Sequence, residues 1–108
     1  MKTSFILTGS LVLASSLSVL GADAKANWGA NCAQCHGKSG NADTVMGKKL
    51  GAKDLTDAKV QAGFSDAKAA TSIKEGVKDN GKVAMKAFPK LSDDEVKALV
   101  AYVRTLKK

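Results

Sequence analysis

An all-α fold of short helices joined by glycine-rich turns is what this sequence predicts, and three observations carry it. The C-terminal stretch repeats apolar residues at helical spacing behind a capping signature. Glycine-bearing breaks recur through the middle of the chain. Both cysteines and the single histidine fall together in Cys32-Ala33-Gln34-Cys35-His36, and no strand pattern flanks them.

The chain opens with Met1-Lys2, a largely apolar run from Phe5 to Leu20, and then Ala22-Asp23-Ala24, the pattern of a secretory signal peptide with an A-x-A cut. An uncleaved membrane anchor is disfavoured. The run falls short of the ~20 apolar residues of a span and is diluted by Thr8, Gly9, Ser10, Ser15, Ser16 and Ser18. Residues 1–24 are therefore read as a cleaved signal and 25–108 as one domain; cleavage after Gly21 or Ala22 fits the same small residues. The remaining 84 residues keep the net charge of +7. A domain that small buries a marginal core and needs a staple.

A first helix is expected from about Ala24 into the cysteine cluster, with Trp28 and Cys32 on one face. Gly37 to Gly51 contains four glycines and reads as a loop. Thr56 is the expected cap of a short helix carrying Val60. Ser65 starts a further helix with Ala70, Ile73 and Val77 on one face, ending near Gly76. Gly81 to Pro89 reads as an extended loop. Ser92-Asp93-Asp94-Glu95 is a capping box, followed by Val96, Leu99, Val100, Val103 and Leu106 as an apolar stripe. Asp93, Asp94 and Glu95 at its start and Arg104, Lys107 and Lys108 at its end suit the helix dipole.

Cys32, Cys35 and His36 carry the chemistry. C-x-x-C-H is the attachment sequence of c-type haem, with two thiols to form thioethers and a histidine to bind iron. On a helix all three project from one face. A structural zinc site needs about four ligands, and this cluster offers three with no second C-x-x-C or histidine elsewhere. A redox dithiol wants a βαβ setting, and a plain disulfide leaves the histidine unexplained. One covalently bound haem c also supplies the missing staple.

Two methionines remain after the signal for the other side of the iron, Met46 and Met85. Met85 is assigned as the second axial ligand, since it lies 49 residues past His36 in the segment before the final helix. Met46 is only ten residues past His36. Reach does not exclude it, because ten extended residues span roughly 33 to 36 Å, but a lone methionine is ordinarily core filler.

With these motifs in place the chain resembles the class I monohaem cytochromes c over the whole of residues 25–108. Trp28 before the Cys32–His36 motif, Met85-x-x-Phe88 and Ala101-Tyr102-Val103 in the last helix carry the likeness. Asn41 to Leu50 is similar to the haem-edge loop of small photosynthetic luminal cytochromes and their bacterial relatives. The resemblance implies four to five short helices around one haem, with the first and last helices crossing. Where that group has a proline whose carbonyl accepts the histidine's hydrogen bond, this chain has Gly47. Where it has a proline after the axial methionine, this chain has Lys86. Ala24 stands in place of the glycine at the helix crossing, which favours a cut before Asp23.

The resemblance implies a soluble one-electron carrier and not an enzyme. Six-coordinate iron has no open position, so it only changes between Fe(II) and Fe(III), and thioether ligation favours Fe(II). The alternative is a ligand-binding haem protein, a gas sensor or weak peroxidase, with Met85 absent or labile; Lys86 is a further candidate ligand under alkaline conditions. Trp28 and Tyr102 are candidates for haem packing or a propionate hydrogen bond, with helix–helix packing the commoner role. The net charge points to redox donors and acceptors with acidic docking surfaces. Lys48, Lys49 and Lys53, with Lys82, Lys86 and Lys90, are the candidate docking lysines. Nucleic acid is a poor partner, because the chain is read as exported and lacks interleaved aromatics. A monomer in the periplasm is expected, with transient docking on membrane complexes; a photosynthetic lumen is the second choice.

Overall fold

The computed structural model describes Gly9 and residues 23–108. The signal-peptide expectation lies outside the described residues, apart from Gly9, Asp23 and Ala24.

Helix α1 covers residues 23–36. Its middle, Trp28–Cys32, is a π turn in which the Ala33 N–H reaches back to the Trp28 carbonyl, and Ala33–His36 returns to α geometry. Helix α2, Val45–Leu50, is capped by the Thr44 hydroxyl. Helix α3, Ala58–Ala62, is capped by the Asp57 carboxylate, and α4, Asp66–Glu75, by the Ser65 hydroxyl. A small antiparallel hairpin comes next, β1 (Val77–Asp79) and β2 (Lys82–Met85). Helix α5, Asp93–Thr105, closes the fold, and its capping box is complete: Ser92 and Glu95 each satisfy the other's backbone N–H.

The core is one cluster. Val96, Leu99, Val100 and Val103 on α5 gather Trp28 and Cys32 from α1, Leu55, and Ile73 from α4. Leu99 is fully buried. Helix α1 lies against α5: the Trp28 and Tyr102 rings are 5.7 Å apart and Asn27 donates to Glu95 at 3.3 Å. Ala24 is buried at the start of α1.

A polar seam holds the other side of α5. Arg104 donates from Nε to Asp66 at 2.8 Å, from Nη1 to the Gln61 carbonyl and side chain at 2.6 and 2.9 Å, and from Nη2 to the Phe64 carbonyl at 2.8 Å. The same guanidinium stacks 4.4 Å from the Phe64 ring. Buried Gln61 donates in turn to the carbonyls of Leu55 and Val103.

Four sequence expectations are corrected. The stretch from Gly37 to Gly51 is not all loop: Thr44 starts a helix there, because its hydroxyl accepts from the Gly47 N–H at 2.8 Å. Thr56 does not cap α3; its hydroxyl donates instead to Asp54, and Asp57 takes the cap. Val77 does not continue the apolar face of α4, since the helix stops at Gly76 and Val77 enters β1, 39% exposed. The stretch from Gly81 is not simply extended loop but the returning strand of a hairpin. Its signal was Asn80-Gly81, whose positive φ values of 52° and 77° fit a two-residue hairpin turn.

Candidate functional site

The last turn of α1 presents the cysteine and histidine cluster. The two cysteines form no disulfide with each other; Cys32 is buried and Cys35 half-buried. Burial pushes the Cys32 thiol up to about 11, and neighbouring Cys35 adds to the rise. A buried thiolate is costly where a neutral thioether is not, so the setting suits an alkylated sulfur. Burial also lowers the His36 pKa, which favours the neutral imidazole that binds metals.

The segment after α1 pins the cluster in place. The Ala42 N–H donates to the His36 carbonyl at 2.8 Å, and the Thr44 hydroxyl donates to the Cys35 carbonyl at 2.7 Å. Gly47 on α2 is packed against that same carbonyl. A Cβ there would strike the Cys35 oxygen and come within 2.9 Å of the Ala42 oxygen, so only glycine fits. Trp28 Nε1 donates to the Gly37 carbonyl at 3.1 Å, and its ring is 5.6 Å from the His36 ring. Trp28 thus joins helix packing to the site, whereas Tyr102 packs against the core and the Trp28 ring and is not among the residues lining the cavity described below.

The Gly47 carbonyl does not take the histidine's hydrogen bond. It accepts from the N–H groups of Gly51 and Ala52, closing the end of α2. His36 Nδ1 is buried without a hydrogen-bond partner among the described residues. It is a polar atom that the polypeptide alone leaves unsatisfied.

Cys32, Cys35, His36 and Met85 all line a single cavity of about 600 Å³. Leu55, Phe64, Ile73, Phe88, Leu99 and Val103 supply much of its apolar wall. That volume is in the range of cofactor sites, about 300–1,000 Å³. Two thiols, a neutral imidazole, two thioether sulfurs and an apolar wall form the donor set and the container that a haem needs.

Residues 20–103 match the protein family described as cytochrome C oxidase, cbb3-type, subunit III. The chain belongs to this family. It is a monohaem class I cytochrome c and carries covalently bound haem c. The Cbb3-type cytochrome c oxidase subunit FixP of Azorhizobium caulinodans is 39% identical over 77 residues, which cover 71% of this chain and 24% of that protein. The cytochrome therefore spans about a quarter of the length of that relative. Among solved structures, the KustC0563 c-type cytochrome is similar with a TM-score of 0.71 and 40% identity, covering 80% of this chain and 99% of its own. A tyrosine-to-phenylalanine variant of the same protein gives 0.68 and 40%, over 79% and 99%.

Met46 also lines the cavity, from α2, so the structure brings together both candidate methionines, Met46 and Met85. Lys53, Lys68 and Lys86 stand along the cavity wall. Lys86 Nζ lies 5.4 Å from the Phe88 ring centroid, and Lys48 pairs with Asp43 at 3.0 Å on the open surface. Sequence reasoning missed Gln61 and read Arg104 only as a charge at the end of α5. A buried glutamine gives no sequence signal, because its role depends on carbonyls as distant in the chain as that of Val103.

Proposed function

We propose that this electron-transfer cytochrome is a diffusible one-electron carrier whose Cys32 and Cys35 form the haem thioethers and whose His36 and Met85 are the axial iron ligands. The observation that carries the reading is the convergence of these four side chains on one apolar cavity. When bound, the haem supplies a reversible one-electron change at iron, and all other work falls to the chain. His36 offers a neutral nitrogen. The apolar wall excludes water and so disfavours the extra charge of Fe(III). Met85 is favoured over Met46 because α2, which carries Met46, is hydrogen-bonded and packed onto the Cys35–His36 turn. Met85 comes instead from the hairpin at the end of α4.

The partners are redox proteins with acidic surfaces. Lys53, Lys68 and Lys86 beside the cavity, with exposed Lys82 and Lys90, form the basic rim that would meet them. The FixP relative's name makes a cbb3-type cytochrome c oxidase the kind of complex to test first. Among the described residues no helix is long and apolar enough to cross a membrane. Export to the periplasm is the proposed location. A signal cut before Asp23 would leave buried Ala24 in the folded domain.

An optical spectrum of the exported protein tests the ligation. The oxidised form should show the weak long-wavelength sulfur-to-iron band, lost in Met85→Ala and kept in Met46→Ala. The reduced form should refuse carbon monoxide. A high-spin spectrum, or rapid carbon monoxide binding by the unmodified protein, would replace the carrier with a ligand-binding haem protein.

A further inference from the structure

The segment that carries Met85 leaves α4 and returns to it. Gly76 ends the helix with φ 78° and ψ −179°, a conformation open essentially to glycine alone. A Cβ on Gly76 would lie 2.7 Å from the Met85 carbonyl oxygen, 2.9 Å from the Ala87 nitrogen and 3.2 Å from the Lys86 carbonyl carbon. All three are backbone atoms, so no side chain can swing aside to make room. The Phe88 N–H then donates to the Ile73 carbonyl at 2.9 Å, fixing the outgoing chain to the same turn of α4. Val77 pairs with Met85 across the hairpin, and a bulge next to that pair puts an extra residue, Ala84, just ahead of the methionine. Bulges commonly re-aim a side chain in this way.

We infer that Gly76 is a positioning residue for Met85: the missing side chain lets the Met85–Ala87 backbone seat against the end of α4, and this seat sets how far the sulfur reaches into the cavity. The inference rests on Met85 being the axial ligand. Any side chain at position 76 lifts the strap and should turn a sulfur-ligated site into an open one.

Gly81 provides the control. It has φ 77°, nearly the same as Gly76, but a Cβ there would meet nothing within 4 Å. Gly76→Ala, Gly81→Ala and Met85→Ala would be compared in the haem-loaded full chain, by the sulfur-to-iron band, carbon monoxide binding and thermal midpoint. Gly76→Ala should lose most of the band and bind carbon monoxide about tenfold faster or more, since strain of this kind shifts an equilibrium by that order. Gly81→Ala should lower the midpoint but keep the band. If Gly76→Ala keeps the parent's band and its refusal of carbon monoxide, the inference is wrong. It is equally wrong if the two glycine variants lose the band to the same degree, because backbone strain alone would then account for the loss. If Met85→Ala keeps the band, the axial assignment itself fails and the inference falls with it. Should Gly76→Ala not accumulate, a glycine inserted between Gly76 and Val77 moves the strap without adding a Cβ. Loss of the band there supports the seat, and retention overturns it.

Discussion

Two sides of the cavity are held in different ways. Behind α5, Arg104 makes four hydrogen bonds and a ring stack to α3, α4 and their connection, and Gln61 is buried with its amide satisfied on both ends. The strap from Gly76 to Leu91 has far less. Its hairpin is exposed, with Val83 55% accessible, and it is tied down by the Phe88–Ile73 bond and by Lys74, which donates to the Leu91 carbonyl at 3.0 Å and pairs with Asp93 at 3.1 Å. The framework behind α5 is thus over-determined, whereas the element that delivers Met85 rests on a few contacts. Damage to the framework should cost stability, and damage to the strap should change ligation.

The sharpest way to break this contrast is Leu99→Ala. It opens a hole at a fully buried position shared by the core and the cavity wall, and should cost about 3 kcal/mol of unfolding free energy in denaturant titration. Arg104→Met comes next. It leaves the Phe64 carbonyl and the Gln61 groups without their charged donor and should cost about 2 kcal/mol, with the sulfur-to-iron band unchanged. Loss of the band in that variant would mean that the two regions are not separable. Lys74→Met should do the reverse. With stability lowered by about 1 kcal/mol or less, carbon monoxide binding to the reduced protein should rise, because the strap has lost one of its moorings.

The smallest effect is one of pH, at the junction of α1 and α5. Hydrogen bonds from Ser92, backbone then side chain, and from Asn27 hold the Glu95 carboxyl below its ordinary 4.5. A depressed carboxylate stabilises the fold above its unfolded pKa, and that contribution disappears as pH falls through the folded value. The thermal midpoint of the parent should therefore exceed that of Glu95→Gln at neutral pH, and the gap should close on acidification below 4.5. A gap constant across that range would mean that the charge of Glu95 contributes nothing to the junction.

The legible parts of this molecule were those written in local code. Ser92 to Glu95 announces its helix because a capping box is complete within four residues. The Cys32–His36 cluster announces its chemistry because one helical turn brings all three side chains to one face. Thr44 misleads because a cap surrounded by glycines looks like more loop, and the helix it starts is stabilised by contact with the Cys35 carbonyl rather than by its own periodicity. Val77 misleads because helical spacing says nothing about a stop at Gly76. That stop is set by the backbone of residues 85–87, which only the folded chain brings near. The Asn80-Gly81 turn is a local signal as well, although the hairpin it closes is too short to show a strand pattern. The polar seam around Arg104 is not legible, since its acceptors are mostly main-chain carbonyls and any sequence supplies those.

The burial of Cys32 also bears on the order of assembly. With burial pushing its thiol up to about 11 in the folded chain, the reactive thiolate is scarce at neutral pH. The same sulfur is shielded by the core that α5 builds over α1. On the proposed attachment, a chain that packs α1 against α5 before its cysteines are alkylated becomes a poor acceptor for the vinyl groups. Maturation is then a race in which covalent capture must outrun helix docking, and a variant that slows docking would gain time for loading even while it loses stability.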